Sequence, residues 1–188
     1  MAMKRIKWSD FNEPAVNVRF TGVWDMQDLY ESLADWFRRR KYHLNERIYK
    51  HKHPSPYGVE RQYCWEATKK ETDYIQVRYY FYIHTYDAHD IEVEMPDGAK
   101  KVFTKGRLWM HVRFSTISDY EGRWNQRLFY SHLKDFYNKY VIRKSFTEGW
   151  NPRRRYEMYE LQAMMKKRLK MEADEFEHRH FAGVYKQY

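Results

Sequence analysis

Two stretches of this chain alternate like strands, yet neither has a plainly polar side. In "DYIQVRYYFYIHTYDAHD", which begins at Asp73, Ile75, Val77, Tyr79, Phe81 and Ile83 share one face. Tyr74, Gln76, Arg78, Tyr80, Tyr82, His84 and Tyr86 share the other. In "GRLWMHVRFS", Leu108, Met110, Val112 and Phe114 alternate with Arg107, Trp109, His111 and Arg113. Successive strand side chains point to opposite faces, so a one-residue slip would exchange the two sets. Stretches this long and regular commit the chain to a sheet. One face of that sheet is apolar, and the other is built from arginine, rings and histidine. What lies on the second face is the functional question.

The surrounding pattern predicts an α+β fold. Val16 to Val23 reads as a first strand. Asp25 is an N-cap candidate, and Met26, Leu29, Tyr30, Leu33, Trp36 and Phe37 then follow helical spacing. Strand patterns follow at Leu44 to His53, Val59 to Lys70, Tyr74 to Tyr86, Ile91 to Met95, Ala99 to Thr104 and Arg107 to Ser118. Turn signals separate them at Pro54 to Gly58 and Pro96 to Gly98, with a bulge or turn expected at Lys105-Gly106. Ser118-Asp119-Tyr120-Glu121 matches a capping box, which predicts a helix burying Trp124, Leu128, Phe129, Phe136, Tyr137 and Tyr140. Asn151-Pro152 opens a last helix with Tyr156, Met158, Leu161, Met165 and Leu169 on its apolar face. Segregated strands and helices imply an antiparallel, curved sheet of about six to seven strands. One helix follows the first strand and two close the chain. We expect a single α+β domain over 1–150 and a helical extension over 151–188 that packs on it or projects from it. A long helix after a curved meander resembles the element order of helix-grip, START-like domains.

Composition narrows the setting. The 188 residues include 18 Tyr, 11 Phe and 7 Trp, so rings rather than aliphatics must supply much of the core and surface. Lys and Arg number 35 against 26 Asp and Glu, a formal charge of +9 that favours acidic partners. Cys64 is the single cysteine, which excludes an intrachain disulfide and a cysteine zinc site within one chain. No stretch approaches the roughly 20 apolar residues of a membrane span. With no apolar core for a signal peptide at the N-terminus, an intracellular, cytoplasmic setting is the expectation. The segment "GRLWMHVRFSTISDYEGRW" resembles short archaeal proteins of no assigned function, a resemblance that spans nearly the whole chain and carries no functional residues with it.

The candidate binding surface comprises Arg47, Tyr49, Arg78, Tyr80, Tyr82, His84, Arg107, Trp109, His111 and Arg113, provided their strands are neighbours. Such a surface suits a protein partner or a second copy of the chain, because Tyr and Arg are enriched at interfaces. That non-enzymatic interaction module is the leading reading, and the alternative is single-stranded RNA or DNA, where rings stack on bases and Arg meets phosphate. A third reading is a helix-grip carrier of a small apolar ligand, although the bulky inward residues would tend to fill its cavity. Arg153, Arg154 and Arg155 open the last helix, a candidate anion patch or a solvated charge run. His84, Asp87, His89 and Asp90 have metal-ligating side chains, but a polar turn explains them as simply. No nucleophile elbow, P-loop, HExxH or dinucleotide motif occurs, so neither catalysis nor a cofactor is expected.

Overall fold

The computed structural model describes residues 15–55, 58–94, 98, 100–125, 127–145, 148, 149 and 151–171. The turns at 54–58 and 96–98 lie partly outside them. The described residues form an α+β fold around an antiparallel sheet of five strands. These are β1 (Val16–Trp24), β2 (His43–Ser55), β3 (Gly58–Lys70), β4 (Ile75–Glu94) and β5 (Lys100–Ser118). Their order is β1-β5-β4-β3-β2, so a meander of four strands carries β1 on its far edge. Helix α1 (Met26–Arg39) connects β1 to β2, the two edge strands, and therefore crosses the sheet. Asp25 starts it by accepting from the backbone N–H of Asp28 at 2.9 Å, and Arg38 and Arg39 sit at its negative end.

The sheet has five strands rather than six or seven because two sequence breaks meet at one bulge inside longer strands. The Ile91 segment continues β4, and the Ala99 segment continues β5. Pairing proceeds through Tyr86↔Arg107 and resumes at His89↔Lys105, leaving Asp87 and Ala88 opposite Gly106. Asp87 adopts φ 51° in this bulge. A Cβ on Gly106 would lie 2.8 Å from the Tyr86 carbonyl oxygen and 2.9 Å from that of Asp87. Glycine is thus a steric requirement of the bulge.

The inner face is the apolar one read from the sequence. Val77, Tyr79, Ile83, Met110 and Val112 are fully buried, and Phe81, Leu108 and Phe114 nearly so. Phe37 of α1 meets the rings of Tyr42, Tyr79 and Phe81 edge-on at 5.8–6.3 Å. Helix α4 (Asn151–Arg168) lies beside α1 and gives Met158, Leu161 and Met165 to the same core. Each such side chain contributes about 1.5–3 kcal/mol on burial. Rings and methionines fill the space beneath the last helix.

Arg154 belongs to this interior and departs from the anion-patch expectation. It is 1% exposed. Its guanidinium pairs with Glu71 of the β3–β4 connection and with Glu157 at 2.5 Å, and it donates to the Tyr42 hydroxyl at 2.9 Å. The carboxylates that neutralise it also tie α4 to the end of the sheet. Arg153 is exposed and pairs with Glu157 at 3.7 Å, and Arg155 is half-buried. A buried charge stripped of its partner is costly. Arg154→Ala should therefore lower unfolding stability by about 3 kcal/mol in equilibrium urea denaturation. Gly106→Ala should cost about 2 kcal/mol in the same assay, because backbone must shift to admit the methyl.

The capping-box helix does not start at Ser118. Ser118 ends β5, and the buried Asp119 carboxylate instead accepts from the Trp124 N–H at 3.3 Å, within a short 3-10 turn, Arg123–Asn125. The helix begins later, as α2 (Leu128–Phe136). It widens into a π turn over Tyr137–Ile142 and ends in α3 (Arg143–Ser145). Its expected core residues Leu128, Phe129, Phe136 and Tyr140 are exposed, whereas Lys134 and Asn138 are buried. Lys134 pairs with Asp119 at 3.1 Å, and Asn138 accepts from the Tyr74 hydroxyl at 2.9 Å. These polar contacts decide which side of the helix faces the protein. Among the described residues, no helix is long and apolar enough to cross a membrane.

Candidate binding face

Strand pairing assembles the outer face in rows across the sheet. One row runs Arg19, Trp109, His84, Gln62 and Lys50. The next runs Asn17, His111, Tyr82, Cys64 and Ile48. Arg113, Tyr80 and Glu66 form a third, and Arg107 stands opposite Tyr86. Eight of the ten residues proposed from sequence, all but Arg47 and Tyr49, occupy β4 and β5 and lie together on this face. Helices α1 and α4 cover the opposite face, and no helix of the described residues packs over these rows.

The rings and cations are organised. Tyr82 meets Trp109 edge-on at 5.4 Å. The Arg113 guanidinium lies 4.8 Å from the Tyr80 ring, Arg107 5.7 Å from Tyr86, and Arg19 6.0 Å from Trp109. Such contacts orient a cation without consuming its charge. Among the described residues, Arg19 and Arg113 meet no carboxylate. Arg78 pairs with the buried Glu66 at 3.0 Å, and Arg107 with Asp87 at 2.5 Å. Trp109, Tyr80 and Tyr82 are each half-exposed.

His84 is the buried polar centre of the face. Its Nε2 lies 2.5 Å from Glu60 Oε1 and 3.2 Å from Gln62 Nε2, and its Nδ1 lies 3.2 Å from the Tyr82 hydroxyl. The His84 contact, followed by Gln62, holds the Glu60 carboxyl below its ordinary range. The ring also lies 3.7 Å from that of Tyr86. These contacts position two tyrosines, a role different from metal ligation. Asp87 is held by Arg107 and His89 is exposed, so the three ligand candidates do not converge. No group of three His, Cys, Asp or Glu side chains among the described residues could hold a metal ion.

Tyr49 departs from the surface read in the sequence. Pairing shifts between Glu46 and Ile48, which makes Arg47 the extra residue of a bulge. Past that bulge every side chain changes face. Tyr49 thus stands opposite Tyr63 and His51 opposite Arg61 on the inner side. There Tyr49 joins Tyr30, Tyr63, Glu46, Arg61 and Asp90 in lining an open groove of about 470 Å³. Desolvation, with Tyr49 nearby, pushes the Tyr63 phenol up to about 12. Arg47 itself reaches Glu66 on the outer face. Sequence reasoning also missed Asn17, Arg19, Glu60, Gln62 and Glu66. The alternation of β1 carried a signal for Asn17 and Arg19, but its adjacency to β5 did not show.

His111 is the titratable group whose setting is clearest. Its Nδ1 lies 2.8 Å from Asn17 Oδ1. Burial first, and then the Arg113 charge, lower its pKa from the ordinary 6.5. The stability contributed by the neutral ring is therefore full above pH 6.5 and is lost as pH falls through the lower folded value. An NMR titration should place the His111 midpoint below 6.5, with Arg113→Ala moving it up only part of the way. No protein-family model matches the chain, and no curated protein matches it in sequence.

Proposed function

We propose that the protein is a non-catalytic module that binds single-stranded nucleic acid across the outer face of its sheet. The observation that carries this reading is the lattice of Trp109, Tyr80, Tyr82 and Tyr86 interleaved with Arg19, Arg78, Arg107 and Arg113, over which no helix of the described residues packs. Every base offers a ring face to stack on, and each phosphate offers a site for a guanidinium. The same face could meet a protein, as its Tyr and Arg content allows. The cores of protein interfaces are, however, depleted of charge. Here Arg78, Arg107 and Arg113 stand on the interior strands β4 and β5, at either end of the ring rows, and the aliphatic residue in those rows is Ile48, on the edge strand. The formal charge of +9 supports the polyanion reading.

Fluorescence anisotropy with short single-stranded oligonucleotides over a salt series tests the reading. Trp109→Ala and Tyr82→Ala should each weaken binding by about 1–3 kcal/mol, the usual scale of one stacked base. Arg113→Ala should weaken all sequences alike and reduce the slope of log affinity against log salt by roughly 0.7. Equal affinity in wild type and the Tyr82→Ala/Trp109→Ala double variant would exclude this face as the site.

A further inference from the structure

Helix α2 and the π turn after it carry their polar side inward and their apolar side out. Phe129, Leu133, Phe136 and Tyr140 follow i, i+4, i+7, i+11 spacing and form one stripe. Leu128 is 82% exposed, Phe129 72%, Phe136 56% and Tyr140 64%. The helix is held in this orientation. Lys134 is tied to Asp119, Asn138 to Tyr74, and Tyr137 stacks on Trp124 at 5.9 Å. Rolling the stripe inward would break all three contacts and leave the buried Asp119 carboxylate without its lysine.

The size of the stripe points to an interface. Rings offer about 150–250 Å² each, so Phe129, Phe136 and Tyr140 at their exposures present roughly 290–480 Å². Leu133 on the stripe, and Leu128, Tyr130 and Val141 on its flanks, all exposed, add to this. The total approaches the ~800 Å² per partner of a standard interface and exceeds the ~300–600 Å² patch of a typical monomer.

We infer that this stripe pairs with the same stripe of a second copy, as an antiparallel helix pair about a two-fold axis. Charge selects that occupant. Asp135 and Lys139 are both exposed and lie four residues apart on one flank of the stripe. In an isologous antiparallel pair like flanks meet. Each copy then sets its Asp135 against the other's Lys139, with the rings closed between them. The stripe is distinct from the outer sheet face, so the pairing stands without the nucleic-acid reading.

Sedimentation equilibrium and light scattering of the full chain, from nanomolar to high micromolar concentration, test the pairing. We expect a dimer. Phe129→Asp and Phe136→Asp should each raise its dissociation constant at least about tenfold. Both positions are exposed, so far-UV circular dichroism should stay unchanged. Asp135→Lys and Lys139→Asp should each weaken the dimer, and the double reversal should restore it. A strict monomer would overturn the inference. So would a dimer indifferent to both phenylalanine variants, or a double reversal that fails to recover. Unfolding of monomeric Phe129→Asp would mean the chain covers its own stripe, and would overturn it as well.

Discussion

The pairing of β4 with β5 is the constraint on which the rest of this structure depends. These two strands are 20 and 19 residues long and lie next to each other within the sheet, with β3 beyond β4 and β1 beyond β5. Their register sets Tyr79 beside Phe114 on the inner face and Tyr80 beside Arg113 on the outer. A slip by one residue would bring arginines under the helices and valines into water. The Asp87-Ala88 bulge reinforces the register from one end. Gly106 is the one residue opposite it, and a Cβ on Gly58 of β3 would come within 3.0 Å of the same backbone. Two neighbouring strands thus close on one feature.

Because α1 joins opposite edges of the sheet, the chain must pass over a face, and the apolar face is the one that gains from cover. Once α1 lies there, α4 packs beside it, and the Arg154 cluster joins helix, loop and sheet through Glu157, Glu71 and Tyr42. Both long helices are committed to one side. As a consequence of that topology no helix of the described residues crosses the outer face, and its interest for binding follows from the same fact.

The two proposed surfaces differ in kind, and their chemistry separates the roles. The outer sheet face is basic, ringed and almost without aliphatics, which suits a hydrated, charged polymer. The stripe on α2 is apolar with a charged border, which suits a protein surface. A pair of chains joined through α2 would present two basic faces. Linked sites bind a long polymer more tightly than either does alone, provided the geometry lets both engage.

Much of the fold was legible because alternation over long strands records which side chains are buried. The two faces of β4 and β5, the start of α1 at Asp25 and the burial of Met158, Leu161, Met165 and Leu169 in the last helix were all set by local pattern, whereas Tyr156, expected beside them, is exposed. The number of strands was not, since a bulge and a turn look alike until a partner strand shows that pairing resumes beyond it. The fates of Tyr49 and Arg154 were equally hidden. One changed face because a single extra residue at Arg47 reversed the alternation, and the other was buried by carboxylates distant in sequence. Helix α2 shows the same division. Its amphipathic spacing was written in the sequence, but which side faced inward was decided by Asp119 and Tyr74, which reach Lys134 and Asn138 only in the folded chain. Sequence alone determined the periodicities and the chemistry of each face. Tertiary structure decided which faces are covered, because burial depends on what the topology brings alongside.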